Sequence, residues 1–188
     1  MSVVTVATFL GLLSVAVFLG VLGALVLWLM DRIGLVPGAI DGLRGALRPI
    51  APWLALVIAV TAMGGSLYFS EVVKFVPCVL CWYQRIAMYP LVVVLGIAAV
   101  RGDRGVVRYA GPVAAIGALI SVWHIGVQRL PGVPSGSCSL DAPCSAIQIE
   151  VLGFVTIPVM ALAAFLGILT LLLLNASGDI EPELENPS

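Results

Sequence analysis

The chain has 188 residues, of which 61% are hydrophobic and 10% charged, with a mean hydropathy of +1.16. A soluble domain carries roughly 25% charged residues, so this chain lacks the polar surface to dissolve in water and must be solvated largely by lipid. Nine basic residues nearly balance ten acidic ones without forming a basic stripe, which excludes nucleic acid from the expected partners.

Crossing a hydrocarbon core takes about 20 apolar helical residues, and five stretches meet that length: residues 3–30, 51–70, 82–100, 109–127 and 151–174. The first lacks a basic leading segment and is longer than the apolar run of a signal peptide, so it reads as a retained helix rather than a cleaved signal. After it, Gly34, Pro37, Gly38 and Gly45 mark a connector, with a short interfacial helix expected around residues 40–47. The second span contains Gly64–Gly65, a place for close helix approach. Pro90, Pro112 and Pro158 fall inside spans, where neighbouring helices can satisfy the freed carbonyls.

Arg32, Arg44 and Arg48 lie in the first connection, and Arg101, Arg104 and Arg108 in the third. Cytoplasmic connections collect Lys and Arg, so these two are expected inside, with the second and fourth connections outside. Five spans then place the N-terminus outside and the C-terminus in the cytoplasm. The expected fold is an all-α membrane protein, an antiparallel four-helix transmembrane bundle with an additional N-terminal transmembrane helix. Its expected parts are residues 1–50 (first helix and cytoplasmic connector), 51–175 (the four-helix bundle) and 176–188 (a disordered acidic cytoplasmic tail). The fourth connection, residues 128–150, holds Pro131, Gly132, Pro134 and Gly136 and is expected to be a mobile external loop.

The four cysteines form two pairs, Cys78/Cys81 and Cys138/Cys144, both in expected outer connections. C-x-x-C serves thiol–disulfide exchange and metal binding alike. A four-thiolate zinc site is the metal alternative, but the C-x5-C spacing of the second pair exceeds the usual two to four residues, and an exposed compartment favours disulfides. A scaffold or transporter with purely structural disulfides is the non-enzymatic alternative. Pro77 favours a helix start at Cys78–Cys81. The positive end of that helix, with Arg85 one turn on, makes Cys81 the expected low-pKa sulfur. The short disulfide expected between Cys138 and Cys144 gains little from loop closure and reads as exchangeable. His124, the single histidine, and Gln128 share a helix face near the outer end of the fourth span. With Arg85 they are expected to line one pocket and to hydrogen-bond quinone carbonyls.

The string PCVLCWYQRIAMYP, from Pro77 to Pro90, resembles the signature of the disulfide-bond-formation protein B (DsbB) family, in particular its Gram-positive-type members, called BdbC. The segment GFVTIPVMALAAF from Gly153 to Phe165 and the His124/Gln128 spacing are similar to the same group, and the likeness covers residues 51–174. Bacterial vitamin K epoxide reductase homologues place the loop pair before the C-x-x-C, and this chain places it after.

The resemblance implies a bacterial plasma-membrane thiol oxidase. It would reoxidise an extracytoplasmic thioredoxin-fold (DsbA-like) protein and pass the electrons to membrane quinone, ubiquinone or menaquinone. Carried over by position, Cys138 would be attacked by the reduced partner, Cys144 would exchange with Cys78, and Cys81 would face the quinone with Arg85 beside it. Two features depart from the family pattern: the extra first helix, and the close Cys138–Cys144 spacing.

Overall fold

The computed structural model describes residues 2–134, 138 and 142–176; the expected tail, apart from Ala176, lies outside the described residues. Among the described residues, five helices are long and apolar enough to cross a membrane. They are α1 (Val3–Arg32), α3 (Ala51–Leu67, continued by a π turn at Tyr68–Val72), α4 (Val79–Arg101), α5 (Val107–Arg129, entered by a 3-10 turn) and α6 (Ile157–Ala176). The short α2 (Ala39–Leu47) occupies the connector, closed by an Asp31 carboxylate that accepts from the Gly38 amide at 2.7 Å. The four-helix bundle with an added N-terminal helix is therefore the observed architecture.

Helices α3, α4, α5 and α6 form a closed square in which each packs along its two neighbours, and α1 lies outside it against α6. The core is built from small and medium side chains: Ala55, Ala59, Ala87, Leu91, Leu95, Ala114, Phe165, Ile168 and Leu172 are all buried. Lipid tails are as apolar as leucine, so helix association rests on close van der Waals approach, which small residues permit.

Gly117 of α5 is the tightest case. A Cβ there would lie 2.3 Å from the ring of Phe165, which is fully buried. Gly117→Ala should therefore destabilise the bundle by about 1–3 kcal/mol through overpacking. The check is the unfolding midpoint in detergent, and a midpoint equal to the parent's would refute this account of the α5–α6 contact.

The last span differs from expectation at its start. Residues Glu150–Val151 and Val155–Thr156 pair as a two-stranded antiparallel hairpin, β1 and β2, and the helix begins only at Ile157. Leu152 (φ 56°) and Gly153 (φ 75°) take left-handed backbone angles in the three-residue loop, residues 152–154, that joins the strands. Continuous hydropathy across Val151–Ile157 conceals this break, because an apolar strand and an apolar helix read alike over so few residues.

Candidate functional site

Cys78 is the N-cap of α4, with extended backbone angles, and its sulfur accepts a hydrogen bond from the Cys81 amide at 3.4 Å. The C-x-x-C spacing is thus the N-cap to N3 relation, in which the capping atom meets one of the helix's unpaired amides. The two sulfurs lie 3.1 Å apart as free thiols, Cys78 buried and Cys81 half-buried.

The sequence pointed to Cys81 as the sulfur favoured as an anion. The geometry directs the donors at Cys78 instead. Hydrogen bonding from Cys81 above all, with His124 adding to it, holds the Cys78 thiol well below its ordinary value, against the opposing effect of burial. Only the tertiary fold brings His124 to that sulfur.

His124 of α5 is buried, and its Nε2 faces both cysteine pairs, 3.7 Å from Cys78 Sγ and 3.2 Å from the backbone oxygen of Cys144. A carbonyl oxygen can only accept, so Nε2 carries the proton and donates to it. The same N–H is in range of the Cys78 sulfur.

Cys138 and Cys144 are joined as a disulfide, with their Cα atoms 5.9 Å apart. Cys144 is 1% exposed and packs in one apolar cluster with Cys78, Leu80 and Val127, while Cys138 and Cys81 border it. The arm that carries Cys144 is tied down at several points. Gln128 Nε2 donates to the Ala146 oxygen at 3.3 Å, and Gln128 Oε1 accepts from Thr156 Oγ1 at 2.9 Å. Gln148 Nε2 donates to the Val76 oxygen at 3.2 Å, and Arg129 pairs with Glu150. The expectation of a mobile loop does not describe this arm. The remaining loop residues, 135–137 and 139–141, lie outside the described ones.

Arg85, one turn after Cys81, reaches across to α3. Its Nε donates to Ser66 Oγ at 2.9 Å and its Nη2 to the Ser66 carbonyl at 2.8 Å. The guanidinium also lies 5.3 Å from the Trp82 ring centre and 6.0 Å from that of Tyr89. These contacts offset the desolvation of a cation at membrane depth.

Arg85, Cys81 and Gln84 border a largely aliphatic cavity of about 220 Å³. His124 and Gln128 line a separate small cavity with Cys78, Cys81 and Pro143. The fold does not bring Arg85, His124 and Gln128 into one pocket; Cys81 and Ile157 border both spaces.

Sequence reasoning missed Ser66, Gln84 and Ser121. Gln84 Nε2 donates to Ser121 Oγ at 2.8 Å, which in turn donates to the Gly117 oxygen, a buried relay that fixes α4 against α5 beside the site. Polar residues inside apolar spans were the available signal. The sulfurs of Cys78 and Cys81 and a His124 nitrogen lie within 4.8 Å of one another, a spacing able to hold a soft metal ion. The four-thiolate arrangement is not assembled, since Cys138 and Cys144 are bonded to each other.

A family model described as disulfide bond formation protein DsbB matches residues 48–175. The chain is 53% identical over 124 residues to disulfide bond formation protein C of Bacillus subtilis (strain 168), covering 65% of this chain and 89% of the relative. It is 43% identical over 136 residues to a probable disulfide formation protein of Coxiella burnetii (strain Dugway 5J108-111), covering 71% of this chain and 90% of that protein. A probable disulfide formation protein of Oceanobacillus iheyensis is 45% identical over 126 residues, or 64% of this chain and 85% of the relative. No solved structure matches the chain.

Proposed function

The chain belongs to the DsbB family of disulfide bond formation proteins, and from that premise we propose that it is a membrane protein-dithiol:quinone oxidoreductase. Membership makes it a multi-pass helical membrane protein with a role in disulfide bond formation. The finer reading names the electron acceptor as a membrane quinone and the donor as an extracytoplasmic thioredoxin-fold dithiol. One observation carries it: Cys144 and Cys78 share a buried cluster with His124 between them, while Cys81 opens onto an apolar cavity beside Arg85.

The cavity suits a quinone ring. Its walls are aliphatic and its Cys81 end is polar. Ser66 engages two N–H groups of Arg85, out of the five a guanidinium offers, which leaves donors for a carbonyl. A bound quinone accepts two electrons and two protons and becomes a hydroquinone.

The protein's own residues carry the remaining steps. A partner thiolate attacks Cys138, breaks the Cys138–Cys144 bond and releases Cys144; the partner's second thiol then frees Cys138 and leaves the partner oxidised. Cys144 attacks Cys78 of an oxidised Cys78–Cys81 pair and releases Cys81 toward the cavity. Cys138 then re-forms its bond to Cys144 and releases Cys78. His124 steadies the departing Cys78 sulfur through its Nε2–H. The Cys78 and Cys81 thiols so formed would give two electrons and two protons to the quinone and close their disulfide again, so that the net change is partner dithiol plus quinone giving partner disulfide plus hydroquinone.

The arginine-rich first and third connections support a cytoplasmic location for both, with the cysteine pairs outside, the N-terminus outside and the C-terminus inside. Residues 51–175 form the redox unit in this reading, and residues 1–50 are an addition to it.

The test uses the purified protein with a reduced thioredoxin-fold dithiol and a short-chain ubiquinone or menaquinone, following quinone absorbance. Quinone should be consumed in proportion to partner oxidised, and a partner lacking its second cysteine should accumulate as a mixed disulfide with Cys138. Stoichiometric zinc protecting the thiols until chelation, or disulfides that never cycle, would reverse the assignment.

A further inference from the structure

Helix α1 precedes the family match, which begins at residue 48, yet it builds one side of the cavity beside Cys81. Leu10, Leu13, Ser14 and Val17 line that cavity, and their spacing of i, i+3, i+4 and i+7 is a single helix face. The Ser14 hydroxyl donates back to the Leu10 carbonyl at 2.8 Å, so its proton is used within the helix and the face stays apolar.

Two glycines on the bundle seat this face closely. A Cβ on Gly65 of α3 would lie 2.8 Å from Leu10 Cδ1, and one on Gly167 of α6 would lie 2.6 Å from Val17 Cγ1. Gly11 of α1 rests against the Val151 side chain in the same manner, at 3.1 Å. The helix is thus located at three heights by contacts that any side chain at the glycine would disturb.

Along its length α1 packs on α6, with few close approaches to α3. The cavity therefore lies beneath the seam between α1 and α3. Its polar end holds Cys81, Gln84 and Arg85, and its apolar end reaches Val57, Ile58 and Val17. From Leu10 to Val17 the helix rises about 10 Å, enough to run alongside a ring and the start of an isoprenoid tail.

We propose that α1 is the outer wall of the quinone site, with Leu10, Leu13 and Val17 setting how tightly the quinone's ring and proximal tail are held. This rests on the quinone-oxidoreductase reading above and adds substrate-selecting residues from a segment outside the family match. Without α1 the α3–α6 side of the cavity would face lipid directly, and a quinone there would compete with acyl chains along an open groove.

The test is equilibrium binding of short-chain ubiquinone and short-chain menaquinone to the full-length protein in detergent. It uses the form with both cysteine pairs oxidised, so that binding is read without electron transfer. Leu13→Trp should weaken the Kd for the better-bound quinone about tenfold, and raise its KM in turnover similarly, by overpacking the cavity. Leu10→Ala, which removes the side chain seated on Gly65, should shift Kd by at least about threefold and serves as the readout if the tryptophan variant does not fold. Leu19→Trp, on the 64% exposed lipid side of α1, should match the parent. Tight parental binding that is unaltered in the α1-face variants, or altered equally by Leu19→Trp, overturns this inference alone. A parent protein that binds neither quinone overturns the oxidoreductase reading and this inference with it.

Discussion

Cys81→Ser should reduce quinone turnover by at least about a thousandfold, the scale on which enzymes lose activity when a covalent participant is removed. Cys81 is the sulfur that borders both the small space beside Cys78 and His124 and the apolar cavity. It is therefore the one placed to pass reducing equivalents from the exchange site to a lipid-soluble acceptor. Serine keeps the size and the N3 position on α4, so the helix start should persist. Attack by the reduced partner on Cys138 should also persist, because the loop disulfide is untouched by the change. Two measurements separate these effects: quinone absorbance for turnover, and acid-quenched thiol trapping for the partner–Cys138 species. A serine variant that turned over quinone within tenfold of the parent would remove Cys81 from the pathway. Loss of partner attack as well would assign the change to misfolding, and retention of the trapped species excludes that explanation.

The second large effect concerns proton control at Cys78. The thiolate is the reactive form, and Cys78 ionises well below the ordinary thiol value because Cys81 and then His124 hydrogen-bond its sulfur. The sign follows directly. A lowered pKa means the thiolate is fully present above the folded-state value and is lost only as pH falls through it. A thiol with a pKa near 8.5 would be only about 0.3% ionised at pH 6. Alkylation of Cys78 in the protein with its loop disulfide intact should therefore titrate with a midpoint below about pH 7. His124→Ala removes one donor and should move that midpoint upward by about one unit, slowing alkylation about tenfold only at pH values below the parent's midpoint. His124→Gln retains an N–H at similar reach and should restore part of the shift. Mass spectrometry can assign the label to Cys78 rather than Cys81. A midpoint identical in parent and His124→Ala would show that the histidine does not act on this sulfur. The same variant should slow passage of electrons from the loop pair to the α4 pair, since the Nε2–H also holds the Cys144 carbonyl.

Zinc competition at the same atoms offers an independent view of this geometry. Cys78, Cys81 and His124 are close enough to act as three ligands, and metal binding requires deprotonated sulfur. Exchange chemistry and metal capture thus draw on one feature, a buried dithiol whose anion is already stabilised.

Much of this molecule was readable in its amino-acid order. The five spans follow from hydropathy and length alone, because a bilayer core admits only helices or closed barrels. The α4 cap was readable as well: Pro77 followed by C-x-x-C places Cys78 and Cys81 at one helix start, and the structure has them there. The interfacial helix expected around residues 40–47 is α2. These features depend on neighbours in sequence, and local spacing contains them.

Other features arise only when distant segments meet. Which sulfur collects the donors depended on α5 bringing His124 to Cys78, 46 positions away in the chain. Spacing on α4 alone favoured Cys81. Arg85 showed itself as a cation at membrane depth, but Ser66 as its partner comes from the α3–α4 packing. The division of Arg85 from His124 and Gln128 into two spaces follows from the square of helices, in which α4 presents one side toward α3 and another toward α5. The pinned Cys144 arm depends on Gln128 bonding Ala146 and Thr156, and on Gln148 reaching Val76, 72 positions away. By itself the amino-acid order determined the membrane class, the spans and the two sulfur pairs, since these rest on composition and short-range helix geometry. The tertiary structure alone decided how the pairs meet, which sulfur is stabilised as an anion, and that α1 encloses the cavity, because each is a contact between residues the chain keeps far apart.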